Sequence, residues 1–165
     1  RGDIKINDVF TKKFSDEKKD EIRKKNISII FQDNNLLNDF TAIENVMMPL
    51  IIKGINIANA QKEAQKILKT VKILDRSEHF PNELSGGEQQ RVAIARALIS
   101  ETNLILADEP TGNVDDTIAD RLLYLFKELH RTGTNILIAT HNENLIQKFD
   151  YPVLRIEDRK LLFSD

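Results

Sequence analysis

Two consecutive carboxylates follow a short apolar run near the middle of the chain. Residues 104–107 read Leu-Ile-Leu-Ala, and Asp108 and Glu109 come directly after them. Ligands of open α/β sheets bind at the carboxyl ends of the strands. One carboxylate there can hold Mg²⁺, directly or through water, while the next orients and deprotonates a water molecule. The alternative is a strand that ends in a polar turn.

A second candidate site is a helix start that contains two glycines. Ser85 is followed three residues later by Glu88, the pattern of a capping box, so we expect a helix to begin here and to include residues 91–98. A helix N-terminus presents unpaired amide donors and the positive end of a dipole, and Gly86 and Gly87 let a phosphate approach closely. An ordinary capped helix would have the same pattern.

Two further polar side chains follow predicted strands. Gln32 comes after the apolar residues 27–31, and His141 follows the strand predicted at residues 135–140. A histidine at a strand end could contact a terminal phosphate, and a neutral amide could sense a metal ion or water without adding charge. The alternatives are a structural histidine and an exposed loop glutamine.

These side chains must be positioned by an alternation of strands and helices, which is typical of an α/β domain. The strands at residues 27–31 and 104–108 are largely apolar, so we expect a parallel sheet that is covered on both faces. Between residues 32 and 100 helical spacing replaces the strand pattern, which predicts an inserted helical lobe. The predicted strands are residues 3–6, 27–31, 104–108, 135–140 and 152–156, with a surface helix at 12–25, a helix at 118–129 and a hairpin turning at 158–159.

Composition excludes several classes of protein. The chain has 165 residues with 24 basic and 26 acidic side chains, a net charge of −2 and a pI of about 6.0, so we expect no nucleic-acid partner. It has no cysteine, which excludes disulfides and thiolate metal sites. The longest apolar run, residues 46–52, is far shorter than the roughly 20 residues of a membrane-spanning helix.

Taken together, the order and spacing of these motifs resemble the nucleotide-binding subunit of ATP-binding-cassette (ABC) transporters. Residues 84–89 match the signature motif of that family, 108–109 the Walker B element, and 113–115 the D-loop, with valine where leucine is usual. Gln32 matches the Q-loop glutamine and His141 the switch histidine. The resemblance implies a P-loop NTPase-like α/β fold with a parallel sheet core and an inserted helical subdomain.

The resemblance also implies domain limits and a hydrolytic site for ATP and Mg²⁺. The core lobe would include residues 1–33 and 101–165, and the helical subdomain residues 34–100. Asp108 would hold Mg²⁺, and Gln32 would sense the metal and the attacking water. Glu109 would be the general base, and His141 would contact the γ-phosphate.

Family members work as head-to-tail dimers, so the resemblance implies that a second copy completes each site. Ser85, Gly86, Gly87 and Gln89 would then bind nucleotide held by the partner, and Asp115 would communicate across the dimer interface. The other expected partners are integral membrane permease subunits, at the cytoplasmic face of a bacterial inner membrane.

Finer features resemble one branch of the family, which serves lipoprotein release, macrolide-type export and cell division. They are residues 40–46, 49–50 and 106–113. The opening at residues 39–41 and the continuation at residues 49–52 most resemble the ATPases of lipoprotein release. The long coiled coils of the ABC ATPases of chromosome maintenance have no counterpart between Gln32 and Ser85.

One motif of the family does not occur in this sequence. A phosphate loop needs the spacing G-x-x-x-x-G-K-[ST], and the six glycines never provide it. The resemblance therefore predicts a cassette truncated at its N-terminus, with apolar sheet surface left exposed. The rival hypothesis is a non-catalytic product that serves only as a binding or structural partner.

Overall fold

The computed structural model describes residues 4–6, 9–148 and 151–164, and strands and helices alternate along most of that length. In chain order the elements are β1 (Lys5–Ile6), β2 (Val9–Phe10), α1 (Asp16–Asn26), β3 (Ile27–Ile30), α2 (Ala42–Ile52), α3 (Ile57–Thr70), α4 (Gly86–Leu98), β4 (Leu104–Asp108), α5 (Asp116–Arg131), β5 (Asn135–Ala139), α6 (Glu143–Lys148), β6 (Val153–Glu157) and β7 (Lys160–Ser164).

A parallel sheet of three strands in the order β3-β4-β5 positions the candidate site. Ile30 pairs with Ala107, and Asp108 pairs with Ala139. The three strands therefore end at one edge, and Gln32, Glu109 and His141 follow them there. This sheet confirms the predicted α/β fold.

The two faces of this sheet differ in how well they are covered. Ile30 and Ile105 point to the face that is packed against helices and are 0% and 2% exposed. On the opposite face Ile29 and Leu137 are 43% and 54% exposed. The expectation of a sheet covered on both faces is therefore wrong for the described residues, whereas the expected exposed apolar surface is present.

Helices α2, α3 and α4 pack together as the predicted helical lobe. The spacing in α3 places Ala60, Ala64 and Leu68 on one stripe, and all three are fully buried. Helix α2 begins with a capping box in which Thr41 accepts from the Glu44 amide. The limits of the helical subdomain at residues 34–100, and those of the core lobe at 1–33 and 101–165, stay a prediction.

The remaining elements agree with the local sequence signals. Helix α1 has no buried residue, as expected of a surface helix. Gly133, at φ 105°, ends the α5 segment by donating its N–H to the carbonyl of His130. Strands β6 and β7 form the predicted hairpin around Asp158 and Arg159, which are both in the left-handed region at φ 47° and 62°.

Three observations fall outside these predictions. Strand β2 and the short helix α6 were not expected from the sequence pattern. The strand predicted at residues 3–6 is present only at Lys5–Ile6, because Ile4 is not in a strand and residue 3 lies outside the described residues.

Among the described residues, no helix is both long enough and apolar enough to cross a bilayer.

Candidate functional site

The site is built around Glu109, the first residue after β4. Its N–H donates to the carbonyl of Ala139 at 2.9 Å and so extends the pairing of β4 with β5 by one residue. Its φ of 45° lies in the left-handed region, which a glutamate seldom adopts. This turn of the backbone sends the carboxylate toward the end of β5.

The Glu109 carboxylate accepts three hydrogen bonds from the two residues that follow β5. Its Oε1 accepts from the backbone N–H of His141 at 2.7 Å and lies 2.6 Å from His141 Nδ1. Its Oε2 accepts from the Thr140 hydroxyl at 2.9 Å. The Glu109 side chain is 14% exposed and that of His141 is 91% exposed. The Glu109 carboxylate is therefore held in a mostly buried position, while the His141 ring beside it is exposed to solvent.

These donors also determine the charge of Glu109. Burial raises the pKa of the carboxyl, but the hydrogen bonds from the His141 backbone, the Thr140 hydroxyl and the His141 ring outweigh burial and leave the pKa below its ordinary value. Glu109 is accordingly ionised at neutral pH and can accept a proton.

Asp108 and Gln32 provide oxygen atoms at the same edge. Both side chains are exposed, and both follow the pairing of Ile30 with Ala107. Carboxylate and amide oxygens suit Mg²⁺, which often keeps only one or two protein ligands and takes the rest from water and substrate phosphates. The described residues contain no group of three or more His, Cys, Asp or Glu side chains that could hold a metal ion alone. The oxygen donors of Asp108 and Gln32 are of the types that magnesium prefers.

The predicted capping box forms at the start of α4. The Ser85 hydroxyl accepts from the Glu88 N–H at 3.4 Å, and the Glu88 carboxylate accepts from the Ser85 N–H at 2.8 Å. Ser85 and Gly86 are exposed, and a Cβ built at Gly86 would meet nothing within 4 Å. This helix terminus is open to solvent, so an anion or a second copy of the chain can reach it.

Two other predicted site residues make local contacts. Gln89 donates its side-chain amide to the carbonyls of Pro81 and Leu84 at 2.9 and 3.2 Å, so it supports the loop before α4. Asp115 caps α5 by accepting the Ile118 N–H at 3.0 Å. Their roles in nucleotide binding and in a dimer interface stay predictions.

The structure adds Gln90 and Thr140, which the sequence pattern did not single out, and it gives Asn113 of the D-loop match a side-chain partner. Gln90 is fully buried, donates to the carbonyl of Glu109 at 3.4 Å and accepts from the Asn113 side chain at 3.2 Å. Gln90 thus connects helix α4 to the backbone of the central carboxylate. The only signal in the sequence for Gln90 is a polar residue at an inward position of α4, and this signal does not indicate which residues it contacts.

The charge of Glu88 gives a testable dependence of stability on pH. Its hydrogen bonds from the Ser85 N–H and hydroxyl lower the pKa of Glu88 below its ordinary value of 4.5. A lowered carboxyl pKa means that the unfolded chain binds the proton more readily, so the stabilisation exists above pH 4.5 and is lost as the pH falls through the folded-state pKa. Glu88→Gln should lower the free energy of unfolding by about 0.5 kcal/mol at pH 7.

Urea denaturation of wild type and Glu88→Gln at pH 7 and pH 3 measures this difference. Wild type should have the larger free energy of unfolding at pH 7, and the difference between the two proteins should be smaller at pH 3. A gap of the same size at both pH values would show that the Glu88 charge contributes nothing to the stability.

The comparisons with known proteins agree with one another. The family model described as "ABC transporter" matches residues 1–112. The cell division ATP-binding protein FtsE of Escherichia coli (strain K12) is 45% identical over 138 residues, covering 84% of this chain and 62% of that protein. The lipoprotein-releasing system ATP-binding protein LolD of Hyphomonas neptunium is 40% identical over 162 residues, covering 98% of this chain and 71% of that protein.

Solved structures show the same similarity. The dimeric structure of MJ0796, a bacterial ABC transporter cassette, superimposes with a TM-score of 0.84 at 36% identity, covering 89% of this chain and 66% of that one. A post-hydrolysis state of the same cassette, bound to ADP and Pi, gives a TM-score of 0.83. The chain thus spans about two thirds of that cassette and 62% of the FtsE relative.

Proposed function

Because this chain belongs to the ABC transporter family, we propose that it is the ATP-binding and ATP-hydrolysing subunit of a transporter. The observation that carries this proposal is the contact between Glu109 and His141 at the strand edge that also bears Asp108 and Gln32. Support comes from the similar cassette that is bound to ADP and Pi.

In this function each residue at the edge has a distinct task. Glu109 is ionised and held by three donors, so it accepts the proton of the attacking water. His141 lies beside it with an exposed ring that can contact the terminal phosphate. Asp108 and Gln32 would hold Mg²⁺, which neutralises charge that develops on the phosphate oxygens.

The open start of α4 supports a role toward a second copy. The amides of this helix terminus would bind the γ-phosphate of nucleotide held by the partner, with Ser85 and Gly86 at the exposed surface. The similar cassette of known structure is dimeric, which is consistent with a homodimer here. Integral membrane permease subunits are the further partners of this proposal, at the cytoplasmic face of the bacterial inner membrane.

We propose that the transported molecule is a lipoprotein, which the transporter releases from the inner membrane. The LolD relative aligns with 98% of the chain, which includes the segment that resembles this branch. The second candidate is the cell-division transporter, because the FtsE relative is 45% identical, although over 84% of the chain.

Two measurements test the ATPase function. The gene is sequenced upstream of the Arg1 codon, where an in-frame phosphate loop is expected. The protein as its gene encodes it is then assayed for phosphate release from Mg²⁺-ATP. Absence of both the loop and phosphate release would contradict the ATPase function and favour the non-catalytic product.

A further inference from the structure

Helix α4 reaches the Gln32 loop through the partly buried side chain of Arg96. Its Nη1 donates to the carbonyl of Asn35 and its Nη2 to the carbonyl of Asn34, both at 2.7 Å. These two carbonyls lie 61 and 62 residues away in sequence from the arginine. Because a guanidinium is planar and donates along fixed directions, two such bonds fix both the position and the orientation of the loop backbone.

The loop that Arg96 holds has an uncommon backbone conformation. Asn34 and Asn35 are successive left-handed residues with φ values of 60° and 44°. Their N–H groups donate to the carbonyls of Phe31 and Asp33, so the chain turns sharply directly after Gln32. The carbonyls of Asn34 and Asn35 face the guanidinium of Arg96.

Arg96 is partly buried, so its charge loses part of its hydration. This burial lowers the pKa of its guanidinium. Bonds from a charged donor to carbonyl groups are stronger than those between neutral groups, so the two carbonyls compensate for lost hydration. Asn34 is itself 5% exposed, so little water can compete for its carbonyl with the guanidinium of Arg96.

The same helix carries Arg96 near one end and the exposed Ser85 and Gly86 at the other. From Gly86 to Arg96 the rise along the axis is about 15 Å. The bonds to Asn34 and Asn35 therefore attach the loop that begins at Gln32 to the same helix that starts at the candidate anion site.

We propose that Arg96 is a positioning residue that attaches the loop after Gln32 to helix α4 and so sets the place of Gln32 in the same chain. This inference rests on the proposed ATPase function for its consequence in turnover. The attachment of the loop to α4 depends only on contacts within the chain and does not require the ATPase function.

Asn45 provides a matched control, because it holds the later part of the same segment. It is fully buried in α2, and its side-chain amide donates to the carbonyls of Leu37, Phe40 and Thr41 at 3.0 Å each. Its Oδ1 accepts the Leu37 N–H at 2.8 Å. Asn45→Ala should therefore destabilise the segment without releasing the carbonyls that Arg96 holds.

The experiment compares Arg96→Met, Arg96→Lys and Asn45→Ala in the protein as its gene encodes it. Hydrogen exchange is measured on peptides that cover residues 32–36 and 37–41, under conditions of equal global stability. Arg96→Met should accelerate exchange in residues 32–36 by about tenfold and leave 37–41 unchanged, because only local opening is affected. Asn45→Ala should accelerate exchange in residues 37–41 and leave residues 32–36 unchanged. The exchange rate of residues 32–36 in Arg96→Lys should lie between those of wild type and Arg96→Met.

Turnover is then measured on the same samples. Arg96→Met should lower kcat by about tenfold with an unchanged KM for ATP, because Gln32 is misplaced while the nucleotide contacts remain. Unchanged exchange in residues 32–36, or a kcat that falls equally in Asn45→Ala, would overturn the inference. If wild type has no turnover, the proposed function fails, and the exchange pattern alone decides whether Arg96 holds the loop.

Discussion

Replacing Glu109 with glutamine should reduce the rate of ATP hydrolysis by on the order of a hundredfold or more, the scale expected for loss of a general base. The amide has nearly the same shape as the carboxylate, so it can still accept the N–H of His141 in place of Oε1. It cannot take a proton from water, however. ATP binding should persist, because the groups that would contact nucleotide are unchanged.

The measurement is phosphate release at saturating Mg²⁺-ATP, together with binding of ATP at equilibrium. Glu128→Gln is the matched control, since Glu128 is a carboxylate on α5 whose side chain is 39% exposed and pairs with Arg131 at 3.1 Å. It should retain the wild-type rate. A Glu109→Gln variant with unchanged turnover would remove Glu109 from the role of general base.

The two glycines at the start of α4 should respond to alanine in opposite ways. A Cβ at Gly87 would lie 2.8 Å from the carbonyl oxygen of Asn113, a contact too short to persist. Gly87→Ala should therefore lower the free energy of unfolding by about 1–3 kcal/mol, the usual cost of overpacking. A Cβ at Gly86 would meet nothing within 4 Å, so Gly86→Ala should keep or slightly raise the stability.

Activity should separate from stability in this pair. The added methyl group of Gly86→Ala lies on the exposed surface where the partner's γ-phosphate would bind, so turnover should fall by about tenfold or more in a fully folded protein. Thermal unfolding and phosphate release on both variants test this. A Gly86→Ala variant with wild-type turnover would argue against an anion site at this helix start.

Local signals in the sequence were sufficient for the elements that carry the site. The capping box at Ser85 and Glu88 acts over three residues, so its pattern is visible without a fold and α4 begins where predicted. The same holds for the hairpin turn at residues 158–159 and for the apolar strand that ends at Asp108. Placing Gln32, Glu109 and His141 at one edge required only that their strands be parallel neighbours.

Contacts between distant parts of the chain were decided by the tertiary structure. Thr140 reaches Glu109 across 31 residues, Gln90 reaches it across 19, and Arg96 reaches Asn34 across 62. The local sequence around these side chains does not reveal their distant partners, because a polar residue on a helix or after a strand is compatible with many environments. By itself the sequence determined which groups could do chemistry and on which elements they lie. The pairing of β4 with β5 and the packing of α4 against the loops after β3 and β4 decided which of them are held together. The physical reason is that hydrogen bonds between distant segments form only after the chain has brought those segments into contact.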